Sequence, residues 1–183
     1  MKGKGLWRAT QLAVLVLGVS VSAFAQWPGE LHLGGTINDY TPVTGGGPWE
    51  VRGQWSLHIN WDGTANFYAA LDMERSDQGV LLSGGGDLNN PAGRNAHTHH
   101  ITLKGGTVSY PSTGGLQVTG GTVTITANGN WPPPFEPPSS TLTIAVMGGN
   151  TLAFSNIKLS LGGGAANHFG AQAVNGVVRS VRY

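Results

Sequence analysis

The chain of 183 residues contains no cysteine. A disulfide framework, a thiol nucleophile and a thiolate-bound metal are therefore excluded, and stability has to come from burial, strand pairing or a bound ion. Charge is scarce as well, with Asp, Glu, Lys and Arg making up 10% of the residues. Disorder combines low hydrophobicity with high net charge, and this composition has neither. Sustained apolar spacing at i, i+3, i+4 and i+7 is missing from residue 26 onward, so helices should be few and short. Only one long apolar stretch occurs, Leu12 to Val21. A spanning helix needs roughly 20 residues, about twice that length.

That stretch follows Lys2, Lys4 and Arg8 and precedes Ala23-Phe24-Ala25. A basic segment, a short apolar segment and an A-x-A site read as a secretory signal peptide over residues 1–25. The expected product is exported, periplasmic or extracellular, and begins at Gln26 as one domain over residues 26–183. Without a cysteine after the cleavage site, the usual route to a lipid anchor is closed. Cleavage removes three of the ten basic residues and none of the nine acidic ones. The remaining chain is slightly acidic and has no Lys/Arg stripe interleaved with aromatics, so nucleic acid is not an expected partner.

What is present is two-residue alternation. Trp55, Leu57, Ile59 and Trp61 alternate with Ser56, His58, Asn60 and Asp62, and after Asp62-Gly63 the pattern resumes with Phe67, Ala69, Leu71 and Met73. A D-G dipeptide between alternating runs is a hairpin signal. Further strands are expected over 31–37, 79–83, 97–104, 116–127, 141–147, 151–161 and 174–181, punctuated by Gly, Asn and Pro. The tetrapeptides at Gly34, Gly105 and Gly120 read GGTI, GGTV and GGTV but follow no fixed period, which excludes a solenoid. Two strands exchange faces midway: Leu116 and Val118 are even, Val123 and Ile125 odd, and Leu152 and Phe154 give way to Ile157 and Leu159. Bulges near Gly120-Gly121 and Ser155-Asn156 would do this. The expected fold is all-β, an antiparallel barrel of about eight or nine strands, with a two-sheet sandwich as the alternative. The barrel is preferred because strand-like segments at both ends of the domain can pair and remove the edges. WPPPFEPP, at 131–138, reads as a stiff surface connection.

The densest reactive cluster is Arg94, Asn95, His97, Thr98, His99 and His100. On a strand, His97 and His99 share the face of Ile101 and Leu103, while His100 lies with Thr98 and Thr102. Two imidazoles on one inward face can hold a transition metal, zinc or copper, given a third ligand. His168, on an expected loop or short strand within GGGAANHFG, is the first choice. His58, Asp72 and Glu74 come next, although alternation sets them opposite the apolar stripe. The bland alternative is that these histidines serve only local backbone groups. The H-x-H tripeptide resembles the metal-binding motif of cupins over those three residues alone. No Glu follows at the cupin spacing and the surroundings of His168 do not match the second cupin motif, so the family is not assigned.

Other chemistry is poorly represented. There is no G-x-S-x-G nucleophile elbow, the glycine runs 45–47, 84–86 and 162–164 lack the endings of phosphate loops and read as turns, and Asp72, Glu74 and Asp77 fit a solvated strand. The leading expectation is a secreted small barrel that binds a metal or a small-molecule ligand, with Trp49, Trp55 and Trp61 as wall or core residues. The second is a metal-dependent enzyme using His97, His99 and a third ligand. An outer-membrane barrel ranks third, since most strands look too short to span. A structural or adhesive module, with Thr122, Thr124 and Thr126 on its surface, is the remaining alternative.

Overall fold

A computed structural model describes residues 29–43, 47–75, 97–129, 139–148 and 154–183. The signal-peptide segment, the strand expected at 79–83, Arg94, Asn95 and the proline-rich 131–138 lie outside the described residues. Nine strands follow in order: β1 (Leu31–Val43), β2 (Gly47–Ile59), β3 (Thr64–Arg75), β4 (His97–Ser109), β5 (Leu116–Thr119), β6 (Thr122–Gly129), β7 (Thr141–Gly148), β8 (Phe154–Gly162) and β9 (Val174–Arg182). Every pairing is antiparallel. The pairs run β1-β2-β3-β4-β5-β7-β8-β9 and return to β1, a closed eight-stranded barrel with β6 as an extra strand. The closing ladder pairs Leu33 with Val181 and Ile37 with Gly176. The expected barrel is the one observed, and the sandwich is not.

Alternation then determines the inside. Val51, Trp55, Leu57 and Ile59 on β2, Ala65, Phe67, Ala69, Leu71 and Met73 on β3, and Ile101 and Leu103 on β4 are all buried. An eight-stranded barrel is just wide enough for side chains to fill it. Large and small residues meet accordingly: Trp55 stands opposite Ala69 across the β2–β3 ladder and stacks on Phe67 at 6.4 Å. Each fully buried Leu, Ile or Phe contributes about 1.5–3 kcal/mol.

The β2–β3 hairpin closes where the D-G signal falls. Asn60 donates its backbone N–H to the Thr64 carbonyl at 2.8 Å. Asp62 accepts from the Thr64 hydroxyl at 2.7 Å and from its N–H at 2.9 Å, and these two bonds hold its carboxyl below the usual range. The turn corrects one expectation: Trp61 sits at its tip, 73% exposed, and is neither wall nor core. The alternation that buries Trp55, Leu57 and Ile59 ends where the backbone leaves the pleat.

Both expected face changes are present. The β7–β8 register shifts where Met147 pairs with Asn156 and Gly148 with Phe154, leaving Ser155 as the extra residue. The other change is a bend shared by two strands. Pairs Lys104–Thr122 and Thr107–Thr119 keep one register along β4, so β5 and β6 are one line broken at Gly120-Gly121. Across that break β4 also exchanges faces, from Leu103 to Gly106. Gly121 has φ +78°, and a Cβ there would lie 2.6 Å from the Lys104 carbonyl oxygen. Both the left-handed backbone and the close approach require glycine. Gly121→Val should therefore lower unfolding free energy by about 3 kcal/mol or more, measured by urea denaturation.

Candidate metal centre

Antiparallel order places the end of β1, the start of β2, the end of β3, the start of β4 and the connection from β8 to β9 at one rim of the barrel. His97 and His99 open β4 there, paired with Met73 and Leu71 of β3. Their parity with Ile101 and Leu103 turns both rings inward, and His99 is fully buried. His100 has the opposite parity, and its Nδ1 lies 2.9 Å from the Tyr68 hydroxyl on the outer surface.

The third imidazole arrives from the β8–β9 connection. After β8, a 3-10 turn (Gly163–Ala165) leads into a four-residue helix, α1 (Ala166–Phe169). His168 was expected on a loop or short strand and sits instead on this helix. Ala165 and Phe169 are fully buried, so the segment docks as an apolar plug on the rim. Gly170, at φ +85°, ends the helix by donating its N–H to the Ala166 carbonyl at 2.9 Å, a stop that its left-handed backbone permits. The chain is then tied to β1. Asn175 donates both its backbone N–H and its side-chain amide to Asp39 Oδ2 at 2.7 Å, and Gln172 donates to the Tyr40 carbonyl at 2.8 Å.

The result is a convergence of three ring nitrogens. His168 Nε2 lies 2.8 Å from His99 Nε2 and 3.2 Å from His97 Nε2, and the three ligand atoms are all within 4.8 Å of one another. Aromatic rings wall the group: Trp49 meets His97 edge-on at 5.3 Å and Phe169 meets His99 at 4.9 Å. A tetrahedral ion with bonds of about 2.0–2.1 Å to nitrogen separates its ligand atoms by about 3.3 Å, close to the spacing here. A neutral ring nitrogen offers one proton or one lone pair. A cation bound between the rings would engage all three nitrogens at once.

Burial disfavours the charged form of His99 and His168. Desolvation, and then the charges that His168 and His97 would carry beside it, push the His99 pKa down to about 2, while a backbone hydrogen bond with Thr126 acts the other way. Desolvation, followed by repulsion from His97, lowers His168 to about 4. Neutral imidazole is the form that ligates a metal.

Among the other expected ligands, His58 and Asp72 lie on the outer surface, where Asp72 accepts from the Thr98 hydroxyl at 2.6 Å. Glu74 stands on β3, facing Glu50 across the ladder. Neither His58 nor Asp72 belongs to the group of three histidines. Trp49, expected as a wall or core residue, walls the site, whereas sequence reasoning missed Phe169 as a part of it and the Asp39–Asn175 tie. A buried aromatic next to His168 was a readable hint for Phe169, but the tie spans 136 positions and carries no local signal. No protein family, curated protein or solved structure matches the chain. Assignment of the site therefore rests on its geometry.

A pH dependence follows for the metal-free protein. Both rings titrate near 6.5 when unfolded and far lower when folded. Their stabilising effect is thus complete above about pH 6.5 and declines as pH falls, down to about 4 for His168 and about 2 for His99. Each ring should cost on the order of 1 kcal/mol per pH unit within that window. Urea midpoints measured from pH 7 to pH 4 should fall accordingly, and His99→Gln should flatten the decline.

Proposed function

We propose that this chain is an exported β-barrel binding protein whose His97, His99 and His168 hold one transition-metal ion, zinc or copper. The observation that carries this reading is the convergence of three Nε2 atoms at 2.8 and 3.2 Å in a desolvated, aromatic-walled rim. Export is inferred from the basic, apolar and A-x-A segments of residues 1–25. The absence of cysteine agrees with it, because nitrogen ligands keep their state in an oxidising compartment.

Three protein ligands leave a tetrahedral ion one further position. His97 and His168 are only partly buried, so water or a small-molecule ligand can approach on their side. That access supports the second reading, a metal-dependent enzyme in which the ion activates a bound water. An outer-membrane barrel would need an apolar outer band. The outward positions of β2 to β4 instead carry Ser56, His58, Asn66, Tyr68, Asp72, Thr98, His100, Thr102 and Lys104, which favours an aqueous surround.

Elemental analysis of the tag-free protein tests the site. Near-stoichiometric zinc or copper is expected, lost in His97→Ala, His99→Ala and His168→Ala. Saturation of this site at about 100 times Kd should raise unfolding free energy by about 2.7 kcal/mol in the wild type, and by much less in these variants. A wild-type protein that neither contains nor takes up metal would overturn the proposal.

A further inference from the structure

At the opposite rim, on the outer surface, a second set of ligating side chains is brought together. His32 on β1 and His58 on β2 are direct partners across the ladder, with rings stacked at 4.0 Å and 17°. Glu30, one residue before β1, brings Oε2 to 3.5 Å from His58 Nε2 and 3.8 Å from His32 Nε2. The three ligand atoms lie within 4.8 Å of one another.

His58 carries the strongest indication. Its Nε2 is shielded from solvent and makes no hydrogen bond among the described residues. The nearby carboxylate stands beyond good hydrogen-bonding reach, for which N–H···O distances centre on about 2.9–3.0 Å. A shielded polar atom without a bond costs free energy. An ion bound at about 2.0–2.2 Å to nitrogen and oxygen holds its ligands about 3.4 Å apart, which fits the separations of Glu30 from both rings. Two imidazoles and one carboxylate suit a borderline divalent ion better than calcium or magnesium, which prefer oxygen throughout.

We propose that Glu30, His32 and His58 form a second, independent site for a divalent transition ion of the zinc or copper class. It stands apart from the three-histidine centre and does not depend on it. Side-chain exposure of about half for Glu30 and His32 makes it an open site, exchanging with solvent. Arg182, the cross-strand partner of His32 on β9, opposes a cation there. The site is accordingly the weaker of the two.

Calorimetric titration of tag-free protein with Zn2+ at pH 7.5 tests this, using wild type, His32→Ala/His58→Ala, Glu30→Gln and His99→Ala. Wild type should show a tight and a weaker class of sites. The double variant should lose the weaker class, and Glu30→Gln should weaken it at least tenfold, while both keep the tight class. His99→Ala should lose the tight class alone, so the two readings fail separately. Because the altered side chains of the second site lie at the surface, circular dichroism should find these variants folded. A weaker class that persists unchanged in the double variant, or a wild type that takes up no second equivalent, would overturn the proposal.

Discussion

Closure of the sheet through β1 and β9 is the constraint on which everything else rests. β1 pairs with β2 along its whole length and with β9 across a register shift between Gly34 and Gly35. Once the ring is closed, each side chain either fills the interior or meets solvent, and a slip of one residue would exchange every one of them. The two face changes, at Gly120-Gly121 and at Ser155, are then necessary corrections. They let strands of fixed pleat follow a curved wall without turning Ile125, Ile157 or Leu159 outward.

The histidine centre uses the same rule at the point where the core runs out. Strand β4 continues its inward face past Ile101 to His99 and His97, so the imidazoles take positions that would otherwise belong to Leu or Val. Two inward imidazoles would face a wet rim without the plug. Phe169 and Ala165 supply the apolar cover, and the same docking carries His168 to its partners. Desolvation and convergence are thus one event: the helix that brings His168 to its partners also removes the water that would let His99 and His168 charge. Asp39 supports it from below by tying Asn175 to β1.

Histidine in this barrel behaves according to depth. At one rim, three rings with aromatic walls converge, and burial disfavours charge on His99 and His168. At the other, two rings stack on the outer face beside a carboxylate, where solvent screens charge. Between them the interior is filled with apolar side chains from the surrounding strands, so the two sets act from separate faces of one rigid wall.

Much of this was legible in the residues alone. Alternation is a local property with a period of two, so the described strands, the D-G hairpin, the face changes at Gly120-Gly121 and Ser155 and the inward parity of His97 and His99 could be read from neighbours in sequence. Trp61 was misread because alternation says nothing about where the pleat stops and the turn begins. The choice of barrel over sandwich rested on whether the two end strands meet, and that pairing links residues nearly 150 positions apart. The sequence by itself determined the strands, their faces and the two histidines that turn inward. Only the tertiary structure decided that His168 completes the set from a helix, and that Glu30 and His32 join His58. Those groupings depend on cross-strand register and on the docking of a plug, distances in space that no local periodicity encodes.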